Sequence, residues 1–120
     1  MTEYVVLIVG DADRWWTEMD AEQRAAGYAE YTRFDEELTR RGHEVTGGAE
    51  LHGTNDAKRI PPGGGPVSDG PFAEVTEQVG GFYLVRTEDV DDLVDCCQII
   101  AALGDAVEVR RVVTAEERPA

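Results

Sequence analysis

The stretch YVVLIV, residues 4–9, decides the fold class, because it predicts a central β-strand that is apolar on both of its faces. The stretch GGFYLV, residues 80–85, has the same character and predicts a second buried strand. A strand of this kind needs a covering layer on each side of its sheet. Two covering layers are therefore expected, one on each face of the sheet.

Two predicted helices supply one layer. Asp20 and Gln23 have the spacing of a capping box, and the helical recurrence of Tyr28, Tyr31, Phe34 and Leu38 predicts a first helix over residues 21–41. Asp89, Asp91 and Asp92 place negative charge at the start of a second helix. Its predicted inward stripe consists of Val90, Leu93, Val94, Cys97, Ile100 and Ala101.

The remaining segments are predicted to be short strands and turns. Residues 43–51 are extended, and Gly47 and Gly48 indicate a bulge or a close backbone approach. Residues 57–60 add a short strand, and PPGGGP, residues 61–66, forms a hairpin tip. Residues 67–72 are predicted to form the end of a strand and the tight turn that follows it. Residues 107–110 form the last predicted strand. Residues 1–113 make one domain, and residues 114–120 are a frayed tail.

This order of elements predicts an α+β, ferredoxin-like split βαβ fold with a mostly antiparallel sheet. Two helices cover one face of the sheet only. We therefore expect the other face to be buried against a second copy of the chain, which makes the protein a homodimer of the dimeric α/β-barrel type.

The charge restricts the partners. The chain has 120 residues and a formal net charge of −14, and Lys58 is its only lysine. Such a charge repels phosphate backbones and anionic lipid surfaces, so neither nucleic acid nor a membrane is an expected partner. A solvated acidic surface is the favoured interpretation, ahead of a dedicated cation-binding surface, and adaptation to high salt is one open explanation for it.

Cofactor and metal motifs are not found. The sequence has no phosphate loop, GxGxxG, GxSxG or HExxH, and His43 and His52 are not spaced as zinc ligands, so no cofactor and no metal are expected. Cys96 and Cys97 are adjacent and cannot form an ordinary disulfide with each other, and Cys97 is expected in the core. Reduced thiols and the lack of a signal or membrane-spanning segment favour a cytoplasmic location.

The segment SDGPFAEVTEQVGGFYLV, residues 68–85, resembles the signature of the YCII-related family, in its DGPF-containing branch. The resemblance extends to YVVLIVGDAD at the start, GGAEL at 47–51 and AVEVRRV at 106–112. It implies a ferredoxin-like protein that dimerises through its sheet. A His and Asp pair proposed for some branches, with the His on the first helix, does not carry over, because the predicted helix contains no His.

The candidate catalytic residue is Asp69, which begins the Asp-Gly-Pro-Phe turn and would act as an acid or base at the edge of a pocket. Its alternative role, which is favoured, is to accept hydrogen bonds from the turn's own N–H groups. The candidate ligand-binding residues are Trp15, Phe72, Glu74 and Tyr83. Each aromatic residue has core packing as its alternative.

Two further alternatives stay open around these residues. Glu74 and Glu77 would join Asp69 in an all-oxygen site for Mg²⁺ or Ca²⁺, although a solvated acidic loop is favoured. The expected function is that of a dimeric small-molecule-binding protein or a minor enzyme. The alternative is a non-catalytic regulatory or partner-binding module, which the association of some family members with sigma factors implies.

Overall fold

A computed structural model of the chain describes residues 1–69 and 77–119. The strands in this part of the chain are β1 (Thr2–Gly10), β2 (Glu44–Glu50), β3 (Lys58–Arg59), β4 (Ser68–Asp69), β5 (Gln78–Thr87) and β6 (Ala106–Arg111). The α-helical segments are α1 (Ala12–Thr17), α2 (Ala21–Arg40), α3 (Val90–Cys96) and α4 (Gln98–Ala101). The α+β class predicted from the sequence is confirmed.

The main sheet is antiparallel and has the strand order β2-β5-β1-β6. The two strands predicted to be buried, β1 and β5, lie at its centre, and Val6 and Val85 are fully buried there. The sheet of the single chain is open, with β2 and β6 at its edges, so the described residues form no closed barrel. A barrel built by two copies stays a prediction.

The helices cover one face of this sheet. Phe34 and Leu38 of α2 and Leu93 and Ile100 of α3 and α4 are fully buried against it. Helix α2 begins at the predicted capping box, in which the Asp20 carboxylate accepts from the Gln23 backbone N–H at 2.8 Å and the Gln23 side chain accepts from the Asp20 N–H at 2.9 Å. This reciprocal pair satisfies backbone donors that the first turn of a helix leaves unpaired.

The opposite face of the sheet carries apolar side chains without a covering layer in the described chain. Strand alternation places Val5 and Leu7 of β1 beside Leu84 and Phe82 of β5 on this face. Glu108 and Arg110 of β6 flank them on the same face. We call Val5, Leu7, Phe82 and Leu84 the open sheet face.

The edge strand β2 is irregular. A bulge between Val45 and Gly47 breaks its register with β5, and Gly48 has φ +148°. A Cβ atom at Gly48 would lie 2.4 Å from the Phe82 carbonyl oxygen, so only glycine fits here. Of the two alternatives predicted for Gly47 and Gly48, close backbone approach is seen at Gly48, whereas the bulge lies just before Gly47.

Three details of the predicted elements need correction. Helix α1 was not predicted. Strand β5 is longer than residues 80–85, since it spans Gln78–Thr87. Val94 is 43% exposed instead of buried, whereas Leu93, Cys96 and Cys97 are buried.

The hairpin predicted around residues 61–66 is present, since β3 and β4 pair antiparallel on either side of it. The predicted exit from a strand over residues 67–72 lies partly outside the described residues. Near the end of the chain, Ala115–Glu117 forms a short 3-10 helix, and Glu117 pairs with Arg111 at 2.5 Å. No helix in the described part of the chain has both the length and the apolar character needed to span a membrane.

Candidate functional site

A cavity of about 730 Å³ lies between the helices α1 and α2 and the sheet strands β2 and β5. Its aromatic lining residues are Trp15, Trp16, Tyr28, Tyr31, Phe82 and Tyr83. Its acidic lining residues are Asp11, Asp35, Glu50 and Asp105. A concave, largely apolar space of this size with a few polar groups has the general character of a small-molecule site.

Helix α1 forms one wall of the cavity and is held in place from the loop after β2. The Asp13 carboxylate accepts from the Thr54 backbone N–H and from the Thr54 hydroxyl, each at 2.6 Å. These bonds hold the pKa of Asp13 below its usual range. The Trp16 indole N–H donates to the Leu51 carbonyl at 3.5 Å, and its ring lies 4.6 Å from that of His52.

Trp15 joins this wall to α2. Its ring contacts Tyr28 and Tyr31 edge to face, with centroids 5.1 Å and 6.5 Å apart. The ring fits because residue 27 is a glycine: a Cβ atom there would come within 2.6 Å of the Trp15 ring. Gly27 is therefore used for close approach of an aromatic ring to the helix.

Two of the tyrosine hydroxyls contact carboxylates: Tyr28 contacts Glu50, and Tyr83 contacts Asp35. The Tyr28 hydroxyl donates to Glu50 at 2.7 Å, and burial together with this carboxylate raises the pKa of Tyr28. Burial also raises the pKa of Tyr31 to about 12 and that of Tyr83 above its usual value. All three phenols are therefore neutral at physiological pH.

Two cavity carboxyls hold their protons more tightly than ordinary surface carboxyls. Burial raises the pKa of Asp105 and of Asp35, and a hydrogen bond from Tyr83 offsets part of the shift at Asp35. Asp105 is the more buried of the two, whereas Asp35 keeps an exposed side on α2. Their ionised forms lack a full set of compensating contacts.

A second polar cluster lies outside the cavity, where the end of α2 meets α3. His43 is 4% exposed, and its ring nitrogens lie 2.7 Å from the Thr87 hydroxyl and 2.7 Å from an Asp92 carboxylate oxygen. Arg41 donates two hydrogen bonds to Asp92 and one to Asp95, the latter at 3.1 Å. Arg41 and His43 together hold the pKa of Asp92 below its usual range.

This cluster also brings together three potential metal ligands, since atoms of His43, Asp92 and Cys96 lie within 4.8 Å of one another. Sequence spacing did not predict this convergence. Both nitrogens of His43 are engaged in hydrogen bonds, and Asp92 is neutralised by Arg41. The cluster is accordingly arranged as a structural link between α2 and α3.

The predicted site residues fall into three groups. Trp15 and Tyr83 both line the cavity, and Tyr28 and Tyr31, which were interpreted as packing residues, line it with them. Asp69 lies in the β3–β4 hairpin, where its side chain is 79% exposed and pairs with Lys58, and it does not belong to the described cavity lining. Phe72 and Glu74 lie outside the described residues, and Glu77 is exposed.

Sequence reasoning missed Asp35, Glu50 and Asp105. Asp35 and Glu50 stand in ordinary charged stretches of a helix and an edge strand, and Asp105 follows a glycine in a predicted break between elements. Only the spacing of Asp35, one helical turn after Tyr31 and Thr32, indicates that it shares their face.

A family model, the YCII-related domain, matches residues 2–116. The chain belongs to the YCII-related family. A comparison with curated proteins gave no match. The family resemblance found in the sequence is thereby confirmed.

Proposed function

We propose that this YCII-related protein is a homodimeric small-molecule-binding protein whose ligand occupies the cavity between α1, α2 and the sheet. The observation that carries the proposal is the cavity itself, which has a volume of about 730 Å³ and an aromatic lining that includes Trp15, Trp16, Tyr28, Tyr31 and Tyr83. Protein interiors are normally filled by their own side chains, so an unfilled apolar space of this size favours a ligand.

The proposal centres on the cavity and not on Asp69. Asp69 is exposed and paired with Lys58, which is the environment of a surface ion pair. The cavity, by contrast, contains carboxyls with raised pKa values beside phenol hydroxyls. If the protein is also a minor enzyme, these are the groups that would exchange protons with a bound molecule.

The homodimer part of the proposal is supported by the open sheet face. Val5, Leu7, Phe82 and Leu84 form an apolar centre on a sheet surface, and charged residues such as Glu108 and Arg110 flank it. An apolar centre with a polar rim is the usual anatomy of a protein interface. A second copy of the same sheet would cover it, and the two free thiols of each copy fit a reducing compartment such as the cytoplasm.

The alternative function is a non-catalytic module that binds a regulatory partner. The open sheet face favours this function too, because an apolar surface can bind a different protein as well as a second copy. The cavity favours the first function, since a pure docking module has no need of a deep aromatic cleft. The assignment to the DGPF branch rests on residues 69–72 of the sequence and belongs to the proposal.

The cavity can be tested with N-phenyl-1-naphthylamine, a neutral dye that becomes fluorescent in apolar enclosures. We expect saturable binding to the wild-type protein. Thr32 is an exposed residue of α2 that lines the cavity, so Thr32→Trp should fill the space and abolish most of the signal. Ala29 is exposed on the same helix and outside the described lining, which makes Ala29→Trp the matched control.

Equal dye binding by both variants would contradict the proposed site. Lack of saturable binding by the wild-type protein would contradict the proposed function as a whole.

A further inference from the structure

The charged residues of the described cavity lining are all acidic. Four of its residues carry carboxyl groups, namely Asp11, Asp35, Glu50 and Asp105, and no Lys, Arg or His belongs to the lining that the structure describes. A cavity that binds phosphates or carboxylates needs cationic or N–H donor groups. This cavity therefore disfavours an anionic ligand.

Two arginines close enough to affect cavity residues already have other partners. Arg14 affects the pKa of Asp105 from a distance, but its guanidinium faces Glu18 at 3.8 Å on the exposed side of α1. Arg24 likewise affects the pKa of Tyr28, and its guanidinium donates to the Met19 carbonyl oxygen. Neither arginine lines the cavity or forms an ion pair with Asp35, Glu50 or Asp105 in the described contacts.

The aromatic residues add a second and independent preference. The faces of Trp and Tyr rings carry negative electrostatic potential and attract cations, most strongly when the cation is removed from water. Trp15 stands edge to face against Tyr28 and Tyr31, so these rings present surfaces in different directions around one corner of the cavity. The phenols stay neutral, which leaves them as ring surfaces and hydrogen-bond donors.

We propose that the ligand of this cavity is an organic cation, an amine or quaternary ammonium compound, whose charged group lies among the aromatic rings of Trp15 and Tyr31 and the carboxylates of Asp35 and Asp105. This inference rests on the proposed function and specifies its ligand class. The incoming charge compensates carboxylates that burial otherwise disfavours in their ionised form. The apolar body of the ligand fills the remaining space beside Ile8 and the glycine-rich part of β2.

The test uses three probes with one indole body and different charges: tryptamine, tryptophol and indole-3-propionate. Isothermal titration calorimetry should give a dissociation constant for tryptamine that is about tenfold lower than that for neutral tryptophol, because ring and carboxylate attraction add to the same apolar contact. Indole-3-propionate should bind most weakly. Each probe should also displace the neutral naphthylamine dye in the same order.

Charge-removing variants distinguish the cavity from the general acidity of the protein. Asp35→Asn combined with Asp105→Asn should remove most of the tryptamine preference, because only the attraction by the aromatic rings remains, and should leave tryptophol affinity unchanged. The control combines Glu36→Gln and Glu88→Gln. It removes the same two negative charges from exposed positions outside the described lining. The control should keep the tenfold preference.

The outcomes separate this inference from the proposed function. Equal affinities for the three probes, or tightest binding of indole-3-propionate, would overturn the cation preference while dye binding still supported a ligand cavity. A preference lost equally in both double variants would show attraction by net charge alone and would likewise overturn it. Failure of the dye itself to bind would remove the proposed function first.

Discussion

At the scale of single residues, Asp105 illustrates the cost of a partly buried carboxylate whose counter-charge, Arg14, is only distant. Its pKa is raised by burial, so the folded state binds the proton more tightly than the unfolded state does. Stability from this group is thus fully present below the ordinary carboxyl pKa and decreases as the pH rises through the raised value.

We expect Asp105→Asn to raise the melting temperature at pH 7 by roughly 1–4 °C, because the uncharged amide keeps the shape without the buried charge. The gain should disappear below pH ~3.9, where the wild-type carboxyl is protonated in both states. Differential scanning calorimetry over this pH range measures the effect. If the rise in melting temperature persisted at low pH, its cause would be packing and not the buried charge.

Gly27 contributes to stability through the side chain that it lacks, because this leaves space for the Trp15 ring. In most exposed helix positions a change from glycine to alanine stabilises the helix by about 1 kcal/mol. We expect Gly27→Ala to destabilise the protein by about 1–3 kcal/mol instead, because the new methyl group would overlap the Trp15 ring. Tryptophan fluorescence should change as the ring moves.

The matched control is Ala26→Gly, an exposed neighbour on α2. It should lower stability by the ordinary propensity of about 1 kcal/mol and leave tryptophan fluorescence unchanged. Urea denaturation of both variants tests the pair. A Gly27→Ala protein more stable than wild type would mean that Trp15 has free space beside α2.

At the scale of elements, the link between α2 and α3 depends on Asp92. Arg41 and His43, from the end of α2 and the segment after it, both contact this carboxylate and lower its pKa. A lowered pKa contributes stability above the unfolded-state value, and that stability is lost as the pH falls through the folded-state value. The link should therefore weaken in acid.

We expect Asp92→Asn to lower the melting temperature at pH 7, and the difference from wild type should narrow as the pH falls below about 4. Asp91 is the neighbouring exposed carboxylate of the same helix, so Asp91→Asn serves as the control. Melting curves from pH 2 to 8 make the comparison. A constant difference across this range would assign the effect to hydrogen-bond geometry instead of charge.

Elements with a clear period were predictable from the sequence. The apolar runs of β1 and β5 predict two buried strands. The capping box and the helical spacing of Phe34 and Leu38 predict α2. Helix α1 has only six residues, too few to establish a period, and α3 and α4 lose their shared phase at Cys97. Local patterns cannot report such interruptions.

The cavity was less predictable, because its lining comes from segments far apart in the sequence. Trp15 and Tyr83 were selected as aromatic residues in suitable places, and they do line it. Tyr28 and Tyr31 have the same helical spacing as the core residues, so sequence alone could not separate lining from packing. Asp105 reaches the cavity only through the pairing of β1 with β6, which sets Val9 opposite Ala106.

At the scale of the whole molecule, the open sheet face determines how copies of the chain should associate. Leu84 lies at its centre beside Val5, so Leu84→Glu would place a carboxylate within the proposed dimer seam. We expect the wild-type protein to sediment as a dimer at micromolar concentration and this variant to sediment as a monomer. Analytical ultracentrifugation gives both masses.

Val113 is 56% exposed and lies outside the open sheet face, which makes Val113→Glu the control. It should remain dimeric. A wild-type protein that sediments only as a monomer would contradict the proposed dimer, and a dimeric Leu84→Glu protein would place the interface elsewhere.

The bulged edge of β2 has a consequence for the behaviour of the protein in concentrated solution. Edge strands with straight, unpaired backbones are templates for the intermolecular pairing that leads to fibrils. The break after Val45, the conformation of Gly48 and the glutamates at both ends of β2 remove a straight, uncharged template. Aggregation by strand addition is thus opposed at this edge, and crowding should instead favour contact through the sheet face.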